Sequence, residues 1–214
     1  MRHTLARLLI AAACTALTPV FASAQLSATS QFFQMDPTGM YLRGDGAFGL
    51  PLILDLGAPT TGRTLFLNPT GILQVAGPGS PNHDAVFCGI FSSSSTLLAS
   101  SELNRVQGAI APPANVFGSC PTGPTFYSHL PTDVPNDFFI PAAGLSVSVP
   151  VAARFLFVAV PDDYAPDNVS PDPAHYGLNA SMTTVPEPSS IALSAIGLSL
   201  LAVVAVRRRR SAGG

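Results

Sequence analysis

Along LSVSVPV (145–151), Leu145, Val147, Val149 and Val151 alternate with Ser146, Ser148 and Pro150. A period of two is that of a strand with one buried and one wet face. RFLFVAV (154–160) is apolar almost without interruption, as a strand covered on both faces would be. DAVFCGIF (84–91), STLLAS (95–100), RVQGAI (105–110), DFFI (137–140) and YGLNASMTT (176–184) read as further short strands with turns between them. RTLFLNPTGILQVAG (63–77) reads as two apolar arms with a turn at Asn68, Pro69, Thr70 and Gly71 between them. Between the chain's two ends no stretch has a sustained helical period. The expectation is an all-β fold, a β-sandwich or jelly roll over 63–185. Residues 25–62 are less regular and are expected to form an N-terminal arm or the first strands.

The ends follow other rules. Arg2 and Arg7 precede an apolar stretch at 8–17, and Ala22, Ser23 and Ala24 form a small-x-small site. That is the pattern of a secretory signal peptide over 1–24, too short for a stable membrane span. At the other end, 189–206 is uncharged and apolar, and Arg207, Arg208, Arg209 and Arg210 follow at once. Such a stretch is long enough for a transmembrane helix. Carrying four guanidinium groups through hydrocarbon would cost on the order of 10 kcal/mol. The Arg cluster is therefore expected to stay cytoplasmic, with the body across the inner membrane.

Pro186, Glu187 and Pro188, then the apolar stretch, then the terminal Arg cluster closely resemble the PEP-CTERM sorting signal of Gram-negative bacteria. The resemblance covers 186–214. It implies processing by exosortase, a membrane peptidase that reads the Pro-Glu-Pro, in cells that make exopolysaccharide. A physical reason for the prolines is available. Each removes a backbone donor and biases the preceding residue toward extended geometry, leaving an accessible handle on which Glu187 is a feature to be read.

Charge and cysteines narrow the body. From Gln25 to Val185 it holds four Arg and eleven Asp or Glu, so 4 − 11 = −7 with His neutral. An acidic body of this kind does not bind nucleic acid by phosphate neutralisation. With 47% hydrophobic residues and 13 Phe it has a core to bury, which argues against disorder despite 18 Gly and 21 Pro. Once a signal peptide is removed, Cys88 and Cys120 remain. Two cysteines in an exported chain point to one disulfide.

Chemistry concentrates in VPDDYAPDNVSPDPAHYG, after the apolar strand. Asp162, Asp163, Asp167 and Asn168 offer hard oxygen ligands of the kind Ca²⁺ takes. The plainer alternative is a solvated acidic turn stiffened by proline. The run from 89 to 177 resembles the β-sandwich domain common in PEP-CTERM proteins, a resemblance that covers about 63–185, and that domain is itself similar to the calcium-dependent galactose-binding lectin of the PA-IL type. That resemblance implies a Ca²⁺ held by Asp162 or Asp163 with Asp167 and Asn168, the ion in turn holding sugar hydroxyls. The chain departs from the lectin at Asp172, Pro173, Ala174, His175 and Tyr176, where the family has a Gly-containing turn and an aromatic.

Motifs for metalloprotease, nucleophile-elbow, P-loop or dinucleotide chemistry are absent. The sequence reads as a non-catalytic exported protein of the cell surface or extracellular matrix, binding calcium and polysaccharide. A purely structural matrix protein is the first alternative. An ice-binding or adhesive protein would need a regular Thr-rich face, which is not visible. A hydrolase would need a carboxylate pair such as Asp162 with Asp167.

Overall fold

β4 (Arg63–Thr70) and β12 (Gly177–Thr184) pair antiparallel along all eight residues, Arg63 opposite Thr184 and Thr70 opposite Gly177. They form the centre of a four-stranded sheet in a computed structural model of the chain. The structure describes residues 24–26, 28–41, 49–99, 102, 104–113, 120, 136–162 and 164–184. The remaining strands are β1 (Ala24–Gln25), β2 (Gln31–Gln34), β3 (Leu52–Asp55), β5 (Ile72–Leu73), β6 (His83–Asp84), β7 (Phe87–Ser92), β8 (Ala109–Ile110), β9 (Phe138–Ile140), β10 (Leu145–Ser148) and β11 (Phe155–Ala159). The four-stranded sheet runs β10-β4-β12-β2. The larger sheet runs β1-β3-β11-β7-β8, with β9 also paired to β7, and β5 and β6 form a separate ribbon. Among the described residues the helical pieces are two 3₁₀ turns, Ala165–Asp167 and Pro173–His175. The all-β class read from the sequence is the class observed.

Both sheets contribute to one core. On β4 the buried Arg63, Leu65, Leu67 and Pro69 alternate with Thr64, Phe66, Asn68 and Thr70. On β12 the buried Leu178 and Ala180 alternate with Asn179 and Ser181. These two strands keep one face on the core and one toward solvent. By contrast β7 and β11 are buried at every position, as their unbroken apolar runs require. Phe91 and Phe138 stack at 5.1 Å between centroids, and Phe87 meets Tyr176 edge-on at 5.6 Å. Residues 25–62 supply β2 to the edge of the four-stranded sheet and β3 beside β11. Met35, Met40, Tyr41, Ile53 and Leu54 enter the core from this segment.

The turn expected at 68–71 does not form at Asn68 and Pro69. β4 continues through Asn68 and Pro69, and β5 pairs with β6 instead of folding back. The reason lies in which way the amides point. Arg63 O accepts from Val149 N at 2.9 Å, so by strand alternation the amides of Arg63, Leu65, Leu67 and residue 69 point toward β10. Pairing with β10 stops at Leu67, opposite Leu145. Pro69 therefore sits where no ladder bond is lost, and the strand need not turn.

The expected signal peptide, apart from Ala24, and the sorting segment 186–214 lie outside the described residues. Among the described residues no helix is long and apolar enough to cross a membrane, and the span expected at 189–206 is not among them.

Candidate functional site

β11 ends at Ala159, Val160 is still buried, and the chain then enters the acidic loop. The loop is built by its own short-range bonds. Tyr164 N donates to Asp162 Oδ1 at 3.1 Å, an Asx-type turn that orients this carboxylate. Pro166 lies in the first 3₁₀ turn, which closes when Asn168 N donates to Ala165 O at 3.0 Å. Val169 then exchanges both backbone bonds with Gln74, at 2.9 and 3.0 Å. That bridge fastens the loop to the chain just after β5. Farther on, Asp172 Oδ2 meets His175 Nδ1 at 2.8 Å, an exposed pair.

Gly71 sets how closely the ribbon approaches the loop's far end. Its φ is +96°, and a Cβ there would come within 2.7 Å of His175 O and 2.8 Å of Tyr176 Cα. Only glycine has both the backbone conformation and the clearance. Thr70 Oγ1 lies 3.3 Å from His175 O, and Gln34 Nε2 donates to Pro173 O at 3.1 Å. The loop is thus tied to β2, to the end of β4 and to the chain after β5.

Of the four residues proposed as calcium ligands, Asp162, Asp167 and Asn168 are described and Asp163 lies outside the described residues. Asn168 is 2% exposed, and neither Oδ1 nor Nδ2 has a hydrogen-bond partner among the described residues. Asp167 Oδ1 is likewise buried without one. A buried polar atom left unpaired costs about 1–3 kcal/mol, more if charged. Two neighbouring residues in this condition are unusual enough to need a physical explanation. Asn168 Oδ1 and Asp167 Oδ1 are hard donors, and a Ca²⁺ site would complete its six to eight ligands with Asp162 and loop carbonyls. Asn168 Nδ2, a donor, cannot serve as a ligand.

A different group of potential ligands gathers elsewhere. Cys88, Cys120 and Asp137 bring their ligand atoms within 4.8 Å of one another, all buried. Cys88 and Cys120 form a disulfide, with Cα atoms 5.7 Å apart, so neither sulfur is a thiolate. Asp137 Oδ1 accepts from Cys120 N at 2.9 Å and fixes the bridge's second half. Sequence reasoning passed over Asp137, a lone acid at the head of an apolar strand. It also missed two buried tyrosines. Burial, with Asp137 nearby, raises the Tyr41 hydroxyl well above its ordinary range. Burial, with Asp36 nearby, raises that of Tyr176. Their legible signal was an aromatic beside strand-like sequence, which any core residue shares.

Ser92, in the serine run, is wholly buried. Its Oγ lies 2.6 Å from Gln107 O and 2.8 Å from Ser94 O, and accepts from Ser94 N at 2.9 Å. These bonds shape a loop.

The sorting-signal residues Pro186, Glu187, Pro188 and Arg207 to Arg210 lie outside the described residues, and the last described strand, β12, ends at Thr184. A family model described as the PEP-CTERM protein-sorting motif matches residues 184–210. The match supports an exosortase substrate and an exported, membrane-anchored precursor. Comparison with curated proteins and with solved structures returns no match.

Proposed function

We propose that the chain is an exported, non-catalytic surface or extracellular-matrix protein whose β-sheet body binds Ca²⁺ at the loop after β11, and through the ion a polysaccharide. The signal peptide would release the body near Gln25, and exosortase would act at Pro186, Glu187 and Pro188. The ligands would be Asp162, Asp163, Asp167 and Asn168, in the lectin-like manner that the sequence resembles. One observation carries the cation: the buried Asn168 Oδ1, unpaired among the described residues, beside the equally unpaired buried Asp167 Oδ1. A divalent ion would satisfy both oxygens.

The test is a Ca²⁺ titration of the full chain in mild detergent, followed by its melting temperature. Ion at about 100 times Kd stabilises by about 2.7 kcal/mol, so a rise of several degrees is expected. D167N should abolish most of it. An unchanged melting temperature at millimolar Ca²⁺ would remove the cation from the account.

A second reading, a structural matrix protein with a self-satisfied loop, is favoured by one feature. Asp162 Oδ1 already accepts from Tyr164 N, and Asp172 already pairs with His175.

A further inference from the structure

The outward face of the four-stranded sheet carries a groove of about 370 Å³. Phe66, Asn68, Ser146, Asn179 and Ser181 line it, with the turn at Gly144 as one rim. None of its lining residues is charged. The strand register explains how they meet. Asn68 of β4 lies directly opposite Asn179 of β12, Phe66 opposite Ser181, and Ser146 of β10 opposite Phe66. Asn179 in turn lies opposite Phe32 of β2. Phe66 and Phe32 are each 43% exposed. Gly177 helps hold the second ring: a Cβ there would fall 2.9 Å from two Phe32 ring carbons, so the ring lies across the space a side chain would fill.

We propose that this face is a cation-independent binding site for a neutral polysaccharide. Two exposed aromatic rings on one face of a sheet, Phe66 on an inner strand and Phe32 on the edge strand, favour a partner with an apolar surface. The C–H face of a hexose ring is such a surface. Its hydroxyls at the ring edge need both donors and acceptors, and an Asn amide supplies both at once, as Ser hydroxyls do. Charge selects the polymer. The groove is uncharged and the body carries −7, so an anionic chain would be repelled while a neutral one meets no penalty. The proposal shares its ligand class with the loop reading but not its site, and chelation separates the two.

The full chain in mild detergent is titrated calorimetrically with oligosaccharides of dextran, of cellulose and of galactan, and with alginate as the anionic comparison. Each titration is run with and without EDTA. At least one neutral probe should bind with affinity unchanged by EDTA, and alginate should not bind. F66A and N179A, both on the outer face, should each weaken binding by about five- to tenfold. Their melting temperatures should stay close to the parent's, and D167N should leave the affinity unchanged. The proposal is overturned if no neutral probe binds at millimolar concentration, if EDTA abolishes binding, or if F66A and N179A bind as the parent does. It is also overturned if light scattering shows a dimer that F66A dissolves, which would give the face to a second copy of the chain.

Discussion

Arg63 is 2% exposed, and its guanidinium is held by main-chain carbonyls. Nη1 donates to Leu56 O at 3.1 Å, Nε to Thr60 O at 3.1 Å, and Nη2 to Ala153 O at 2.6 Å and Pro150 O at 3.4 Å. Burial pulls its pKa down from the usual arginine range. One side chain thus joins the end of β3, the exit from β10 and the turn before β11. R63A would strand several buried acceptors and should cost about 3 kcal/mol or more. That is roughly 6–12 °C of melting temperature for a body of this size. R63K should fall between, because an ammonium cannot reproduce the planar fork. Thermal melts of both variants check this. Nothing in "TTGRTLFL" marks Arg63 as buried, since its partners are backbone atoms up to 90 residues away. The tyrosines make a pH prediction at the same scale. Tyr176 has its pKa raised by burial and by Asp36, above the ordinary 10.0. The folded state therefore holds the proton more tightly than the unfolded one. That stabilisation is complete below about pH 10 and is lost as pH rises beyond it. Y176F should flatten the fall of melting temperature between about pH 10 and 11.5.

At the scale of elements, the disulfide and Asp137 act as one unit. Cys88 lies in β7 opposite Phe139 of β9, and Asp137, just before β9, holds the Cys120 amide. Two contacts to neighbouring chain segments thus fix a bridge spanning 32 residues. Reduction, or C88S with C120S, should cost about 3–4 kcal/mol, read from melts with and without dithiothreitol. D137A should leave the Cys120 amide buried and unpaired and lower the melting temperature further even in the oxidised protein. The cysteine pairing was legible because two thiols in an exported chain leave one pairing. Asp137 was not, because the amide it holds, that of Cys120, lies 17 residues away in sequence. The strands showed the same division. The unbroken run in 154–160 became β11 as read, whereas the alternation in 145–151 became β10 only over Leu145–Ser148, with Val151 56% exposed in the turn that follows. The turn read at 68–71 is absent because Pro69 lies beyond the last residue paired with β10, a boundary that local sequence does not carry. Gly71→Ala extends the point to the acidic loop. It forces a Cβ against His175 O at φ +96°, and should destabilise by about 1–3 kcal/mol while disturbing the loop's far end.

For the whole molecule, the architecture brings the body to the edge of the sorting segment. β12 runs the length of the four-stranded sheet, ends at Thr184, and only Val185 separates it from Pro186. A folded, acidic body would then stand close to the bilayer while the Pro-Glu-Pro is read. The tail was the most legible part of the sequence, because its order of prolines, apolar stretch and guanidinium cluster is local and needs no tertiary contact. The acidic loop was legible as a cluster but not as a site: spacing gave the carboxylates, whereas Asn168 is buried next to the bridge from Val169 to Gln74, a contact between distant residues. The sorting claim is tested most directly by mass spectrometry of the protein from cells with and without exosortase. With the peptidase, the account requires an exported chain that has lost the apolar stretch and Arg207 to Arg210; without it, a membrane-bound chain that keeps them. An exported chain bearing an intact tail, or the same product in both strains, would contradict it.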